Sequence, residues 1–468
     1  MASVTRRAAI GALLLLPILP WACASAPSRT GAAAEVFDLT GAPTRVVWVQ
    51  GDGTDPFAAG RNLVLMAFDT EDGKGERLVL GERGSYAKPL ITPDGTRIVY
   101  STHPTLGDPT VHIVNFDGSG RRVLEKGFAL GVGVDPADGR EWVDIGTDPR
   151  EWTAQGVVRV KIDRPAERKT IWTATPVTID TFQVSPDGTL AAGQFPWPRV
   201  GVADLAVGTW RQLGEGCWTA MQDVGSPLFW FFDGAHRNLL MVDLASNRRW
   251  TVPINHAPGF QNPEVYHPRW TNHPRVMAMT GPYDQGGANQ VRSGGNQSEV
   301  WLGRFSPHFT AIEAWARVAR NAHADSYPDV WVEPGDDRVP RVASGRVGPA
   351  AGAAVAPGRA VVEARLVTPG AVPDPEAILP YRHALTVNVY EVTRVVEGEY
   401  EGGPLLLAQW VIRDGQVPPG ARRAPGLAAR VVVERYAAHP ELEGERLVQG
   451  PNLPDRPLYY EVSPEAPR

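Results

Sequence analysis

The sequence predicts an all-β chain: a ring of six four-stranded blades, a six-bladed β-propeller, followed by a small five-stranded barrel. Three observations predict it. Between residues 44 and 332 an extended apolar segment runs repeatedly into a Pro-Asp-Gly-like turn and out into a second β-rich strand. The two ends of that region supply complementary parts of one further blade. A Gly-, Ala- and Pro-rich stretch then separates it from five more β-rich segments. With 49 Gly, 43 Pro and 15 Trp and only 21% charged residues, the composition favours many short strands joined by tight turns over helices. A chain of 468 residues exceeds one ordinary core, so two domains are expected.

The chain begins with an export signal over residues 1–26. Arg6 and Arg7 precede the apolar run Ala8 to Leu16, then Ile18 and Leu19, and small residues follow from Ala22 to Ala26. Broken by Pro17 and Pro20, the run is shorter than the roughly 20 residues a spanning helix needs. Three readings overlap on these residues. Ala22 with Ala24, or Ala24 with Ala26, fits cleavage by a signal peptidase; Cys23 is placed to carry a lipid, although Pro20 and Trp21 depart from the usual Leu-Ala-Gly-Cys pattern; and Thr5 to Ile10 resembles a twin-arginine signal. The expected location is therefore the periplasm or, through lipid on Cys23, the membrane surface. Cys23 and Cys217 are the only cysteines, which excludes an intramolecular disulfide framework. A net charge of −6 without a long basic block argues against nucleic acid as a partner. Residues 27–43 read as a linker.

The propeller is expected over residues 44–334. Its clearest phrases are Tyr86 to Tyr100, through Thr92-Pro93-Asp94-Gly95, and Thr181 to Leu190, through Ser185-Pro186-Asp187-Gly188; weaker ones lie at Val134 to Gly139 and Tyr266 to Pro274. Proline presets φ at the first turn position and glycine accepts the positive φ of a tight hairpin, so each phrase joins two antiparallel strands. Anchors at 93, 136, 186 and 272 are 43, 50 and 86 positions apart, close to one or two four-stranded units. A degenerate blade, Cys217 to Pro253, fills the long interval, with strands at Pro227 to Phe232 and Asn238 to Leu244. Residues 44–80 offer three strands with no opening phrase, and residues 326–332 an opening strand with no followers. One blade built from both ends closes the ring and removes its exposed edges.

The two clear turns, and third strands such as Val111 to Gly118 and Leu239 to Leu244 that run apolar residues into an aspartate, resemble the repeats of TolB-type propellers over about residues 44–332. That resemblance implies a six-bladed propeller and is nearly silent about function.

Residues 335–358 form the Gly/Ala/Pro-rich linker. The barrel follows over 359–464, with strands at Ala360 to Val367, Ala384 to Val396, Leu405 to Ile412, Leu427 to Tyr436 and Leu458 to Val462. Leu385, Val387 and Val389 alternate with polar neighbours, the pattern of one buried face. Glu397 to Gly403 reads as the hairpin between the longest strands. An OB-like barrel, a fold that binds sugars or oligonucleotides, fits this count, and the acidic hairpin argues against phosphates.

Candidate chemistry is sparse. A serine hydrolase fused to the propeller lacks its nucleophile elbow, since no Ser has Gly two residues before it. His236, His256, His267 and His273 fall within 38 positions and could line a metal site, as in a propeller-type polysaccharide lyase, although no pair has the spacing of a metal motif. Asp94 and Asp187 are expected to bond their own turns. Gly281 to Gln297 is a long polar insertion, a mobile loop or a binding loop, without a dinucleotide fingerprint. Trp270, Trp301, Trp315 and Trp331 suit blade packing or stacking on sugars. The favoured expectation is a non-catalytic cell-envelope recognition or scaffold protein. It would bind a protein or glycan at the propeller face through His267, Arg269, Trp270, His273, Tyr327 and Trp331, with no cofactor and no structural metal. The rival is the carbohydrate-active lyase.

Overall fold

The computed structural model describes residues 29–283, 298–335 and 358–462, apart from residues 56, 225, 262, 380, 449 and 451–455. The segment expected to be an export signal, with Cys23, most of the polar insertion and nearly all of the Gly/Ala/Pro-rich linker lie outside the described residues.

Six four-stranded antiparallel sheets form the ring. Four are built from consecutive strands, and the third blade skips only the short Thr153–Ala154, which pairs with Val177–Thr178. The second blade, for example, runs Ala87–Ile91, Arg97–Ser101, Thr110–Asn115 and Arg122–Lys126, and the degenerate fifth runs Cys217–Asp223, Pro227–Phe232, Asn238–Asp243 and Arg249–Pro253. The first blade is composite, as its sequence ends predict. Ala324–Val332 supplies the inner strand, followed outward by Thr44–Gly51, Leu63–Asp69 and Arg77–Gly84. The chain is thus all-β apart from short helical pieces, and its first domain is a six-bladed propeller.

The closing strand is stapled to both neighbours. Towards the sixth blade, the Asn272 side chain exchanges two 2.7 Å hydrogen bonds with the backbone of Val332, and Arg269 pairs with Asp329 at 2.7 Å. Towards the second blade, the Ile91 N–H donates to the other Asp329 oxygen at 2.7 Å, and Trp331 Nε1 donates to the Pro93 carbonyl at 2.8 Å. Trp331 also lies flat on Gly95, whose φ of +74° and lack of a Cβ the contact requires, because a β-carbon there would stand 2.6 Å from the indole. Turn chemistry is local elsewhere too. Asp94 accepts from the N–H and hydroxyl of Thr96, and Asp187 does the same with Thr189.

Part of the segment read as a linker is a helix, Ala32–Thr40, ended by Gly41 in the left-handed region. Val36 and Leu39 are buried with Val300, Leu302 and Ala316 of the sixth blade, so two apolar residues at helical spacing tie it to the ring.

The second domain is a closed barrel of Ala360–Thr368, Ala384–Glu397, Pro404–Ile412, Ala428–Arg435 and Leu458–Glu461. The order around it is first, second, third, fifth, fourth; the third and fifth strands pair in parallel, and the fourth closes on the first. That is the order of an OB-type barrel. The segments that follow the first and fourth strands reach the propeller: Leu447 Cδ2 and the Tyr381 ring stand where a β-carbon on Gly234 would be, at 2.4 and 3.1 Å. The loops that OB barrels commonly use for ligands are here spent on docking.

Candidate functional site

The site grows out of an irregularity repeated in the inner strands. In the first, second, fifth and sixth blades the register slips by a bulge, and at each slip a non-glycine residue adopts positive φ: Tyr327 (52°), Lys88 (49°), Trp218 (29°) and His267 (50°). Such backbone costs on the order of 1–3 kcal/mol per residue for bulky side chains and persists only where the surroundings enforce it. Here it turns four large side chains towards the axis of the ring.

They meet there. The His267 ring lies 4.2 Å from that of Tyr327 and 5.3 Å from that of Trp218, and Trp218 lies 5.6 Å from Tyr327. Tyr327 donates across the ring to Asp180, in the segment that opens the fourth blade, at 3.2 Å, and Lys88 Nζ donates to the Ile179 carbonyl at 2.9 Å. This plug floors a cavity of about 570 Å³, of the size that holds a small ligand. Its walls carry seven aromatic rings, Phe57, Trp152, Trp197, Trp218, Tyr266, Tyr327 and Tyr381, of which the last comes from the barrel; Trp197 is 41% exposed at the rim.

The floor is charged and poorly solvated. Burial pushes the Lys88 ammonium down to about 7, reinforced by the Arg269 cation and opposed by Asp180 and Asp329. Burial likewise pushes Asp180 up to about 6, against the pull of Lys88 and the Tyr327 hydroxyl. His267, 1% exposed, is driven down to about 3 by burial and then by His236, so it sits neutral, with Nδ1 at 2.9 Å from the Thr280 hydroxyl. Each group is held away from its ordinary charge balance by desolvation, the condition in which a bound polar group gains most.

A second cluster lines the wall below the barrel. Cys217 Sγ lies 3.1 Å from Tyr381 Oη and 3.8 Å from His236 Nε2, and His236 Nδ1 faces Glu264 Oε2 at 3.6 Å. Burial opposes a charge on His236, but Cys217 and Glu264 outweigh it and raise the imidazole to about 9.

Of the six residues singled out from sequence, Tyr327 lines the cavity; His267 packs behind it against Tyr327 and Trp218, and Arg269 pairs with Asp329 on the closing strand. The structure does not bring Trp270, His273 or Trp331 to the cavity. Trp270 Nε1 is satisfied by the Pro274 carbonyl within a blade core, Trp331 clamps the Pro93–Gly95 turn, and His273 accepts the Arg275 N–H inside its own turn. Nor do the four histidines converge: His256 meets Trp315 edge-on, and among the described residues no three His, Cys, Asp or Glu side chains are placed to hold a metal. Lys88, Asp180, Cys217, Trp218 and Tyr381 were missed. For Lys88 a signal existed, since Lys88-Pro89, His267-Pro268 and Tyr327-Pro328 occupy one position of the repeat.

His273 supplies a test of the turn environment. Burial, then Arg275 and Arg304, lowers it to about 4. The unfolded chain therefore takes up a proton near pH 6.5 that the fold refuses, and stability complete above that pH is lost as pH falls towards 4. His273→Asn, which keeps an acceptor for the Arg275 N–H, should reduce the loss between pH 7 and 4.5 by about 2–3 kcal/mol in urea unfolding. Parallel curves for the two proteins would contradict this environment.

No protein-family model and no curated protein sequence matches the chain. Among solved structures it is similar to TolB from Acinetobacter baumannii, with a TM-score of 0.43 and 14% identity over 64% of this chain and 70% of that one. A chain of a nidogen/laminin complex is similar with a TM-score of 0.39 and 10% identity over 61% and 98% of the two chains. Kuenenia stuttgartiensis hydrazine synthase gives 0.39 and 12% over 64% and 48%. The strand order itself establishes the fold, and function is argued from the site.

Proposed function

We propose that this chain is an exported cell-envelope recognition protein whose propeller mouth, roofed on one side by the barrel, holds a glycan or a segment of a protein partner. The carrying observation is the cavity of seven rings over a strained, desolvated floor. Rigid rings offer contact area at low entropic cost, for sugar faces or for apolar and proline-rich peptide alike, while Asp180 and the Tyr327 hydroxyl supply direction. Arg6 and Arg7 ahead of the apolar run Ala8 to Leu16 support a ligand in the envelope, and the barrel is an accessory that completes one wall.

A photoreactive phenylalanine analogue at Trp197, on the rim, tests this against the same probe at Val207, 69% exposed on the opposite face. After illumination in cells exporting the protein, a discrete protein or glycan adduct is expected from position 197, absent from position 207 and lost on Tyr327→Ala. Equal labelling from both faces, or none from position 197, would reject the mouth as the binding surface.

A further inference from the structure

We propose that Cys217 is a nucleophile for acyl transfer, with His236 holding its proton, Glu264 orienting the imidazole and the Tyr381 hydroxyl facing the sulfur. The inference goes beyond recognition and needs only that the cavity be accessible. Three strand or loop ends bring the groups together. Cys217 opens the inner strand of the fifth blade beside strained Trp218; His236 lies in the loop after that blade's second strand, itself at a φ of 55°; and Glu264 opens the inner strand of the sixth blade, 2% exposed. Sulfur to imidazole at 3.8 Å and imidazole to carboxylate at 3.6 Å form a nucleophile, base and orienting group in order, at distances usual for sites without substrate.

A merely packed cysteine does not account for this arrangement. His236 Nδ1 and Glu264 Oε2 are buried, have no other hydrogen bond, and face one another. Burying an acid and an imidazole costs free energy that a packing role does not recover. Both Cys217 and His236 open onto the cavity, so the sulfur can be approached from the ligand side.

The substrate class is an ester or thioester whose flat or aliphatic group fits among the rings. Cys217 reacts from an ion pair in which its proton already rests on His236 Nε2; the S–C bond forms at the carbonyl carbon, and the resulting oxyanion accepts a hydrogen bond from Tyr381 O–H. The C–O or C–S bond then breaks as the imidazolium returns its proton to the leaving alcohol or thiol. Water, deprotonated by His236, releases the acyl group from the thioester as a carboxylic acid and restores the ion pair of Cys217 and His236.

The test treats the purified full chain with p-nitrophenyl acetate and follows acetylation of the Cys217 peptide by mass spectrometry, which keeps Cys23 out of the measurement. Acetylation at least 10-fold faster than in a synthetic peptide of residues 212–222 is expected, as is a fall of 10-fold or more in His236→Gln. Glu264→Gln should slow the reaction several-fold with near-ultraviolet dichroism unchanged, and Glu264→Asp, which keeps the carboxylate, should recover part of the rate. A rate equal to that of the peptide, or one indifferent to His236→Gln, overturns the proposal. If His236→Gln does not fold, the native-to-peptide ratio and the Glu264 pair decide alone.

Discussion

Replacing Asp329 with alanine is expected to remove about 3–5 kcal/mol of folding free energy, the range for deleting one partner of a buried ion pair. The carboxylate holds Arg269 of the sixth blade and the Ile91 N–H of the second, both at 2.7 Å, while lying on the closing strand itself. Burial pushes Asp329 up, and Arg269, the Ile91 N–H and Lys88 help hold its charge. Without it, Arg269 and Lys88 become like charges in a desolvated centre and the Ile91 donor is orphaned. Asp329→Asn, which keeps an acceptor for Ile91 but no charge, should fall between the two. Urea unfolding at pH 7 decides the matter: a loss below about 1 kcal/mol for the alanine variant would show that the closure does not depend on this hub.

Trp48→Ala should cost about as much, roughly 3–5 kcal/mol, through a different route. Trp48 is fully buried on the second strand of the composite blade, and its Nε1 donates to Asp325 on the closing strand at 2.8 Å. Asp325 is itself wholly buried, raised well above the ordinary carboxylate range chiefly by burial, and also takes a hydrogen bond from Gln50 at 3.0 Å. Trp48→Phe retains most of the apolar volume and loses the donor, so it should cost only about 1–3 kcal/mol. If both variants lost the same stability, the indole N–H rather than the buried ring would be the dominant contribution, contrary to this account.

These two predictions share a feature with the site: the groups concerned are far apart in sequence and meet only at the ring seam or the axis. Trp48 and Asp325 are 277 positions apart, and Cys217 and Tyr381 are 164 apart. Their environments could not be read from flanking residues. His267 and Tyr327 reach the centre because the residue before proline in the inner strand turns inward, and the same rule would have found Lys88. It would not have found Trp218, which precedes a threonine, or Asp180, which has no positive φ.

By itself the sequence determined the blades, their number, the composite closure and the five barrel strands. Those depend on turn chemistry and apolar patterning within a few residues, where Pro-Asp-Gly and alternation act directly. Tertiary structure alone decided what the axis contains and what the barrel covers. Ring curvature converts equivalent positions of successive blades into neighbours, and the barrel loops that seat Tyr381 and Leu447 on Gly234 find their partners only through the assembled surface. The desolvation that shifts Lys88, Asp180 and His267 belongs to that same step, because it arises from the closed plug and from no single strand.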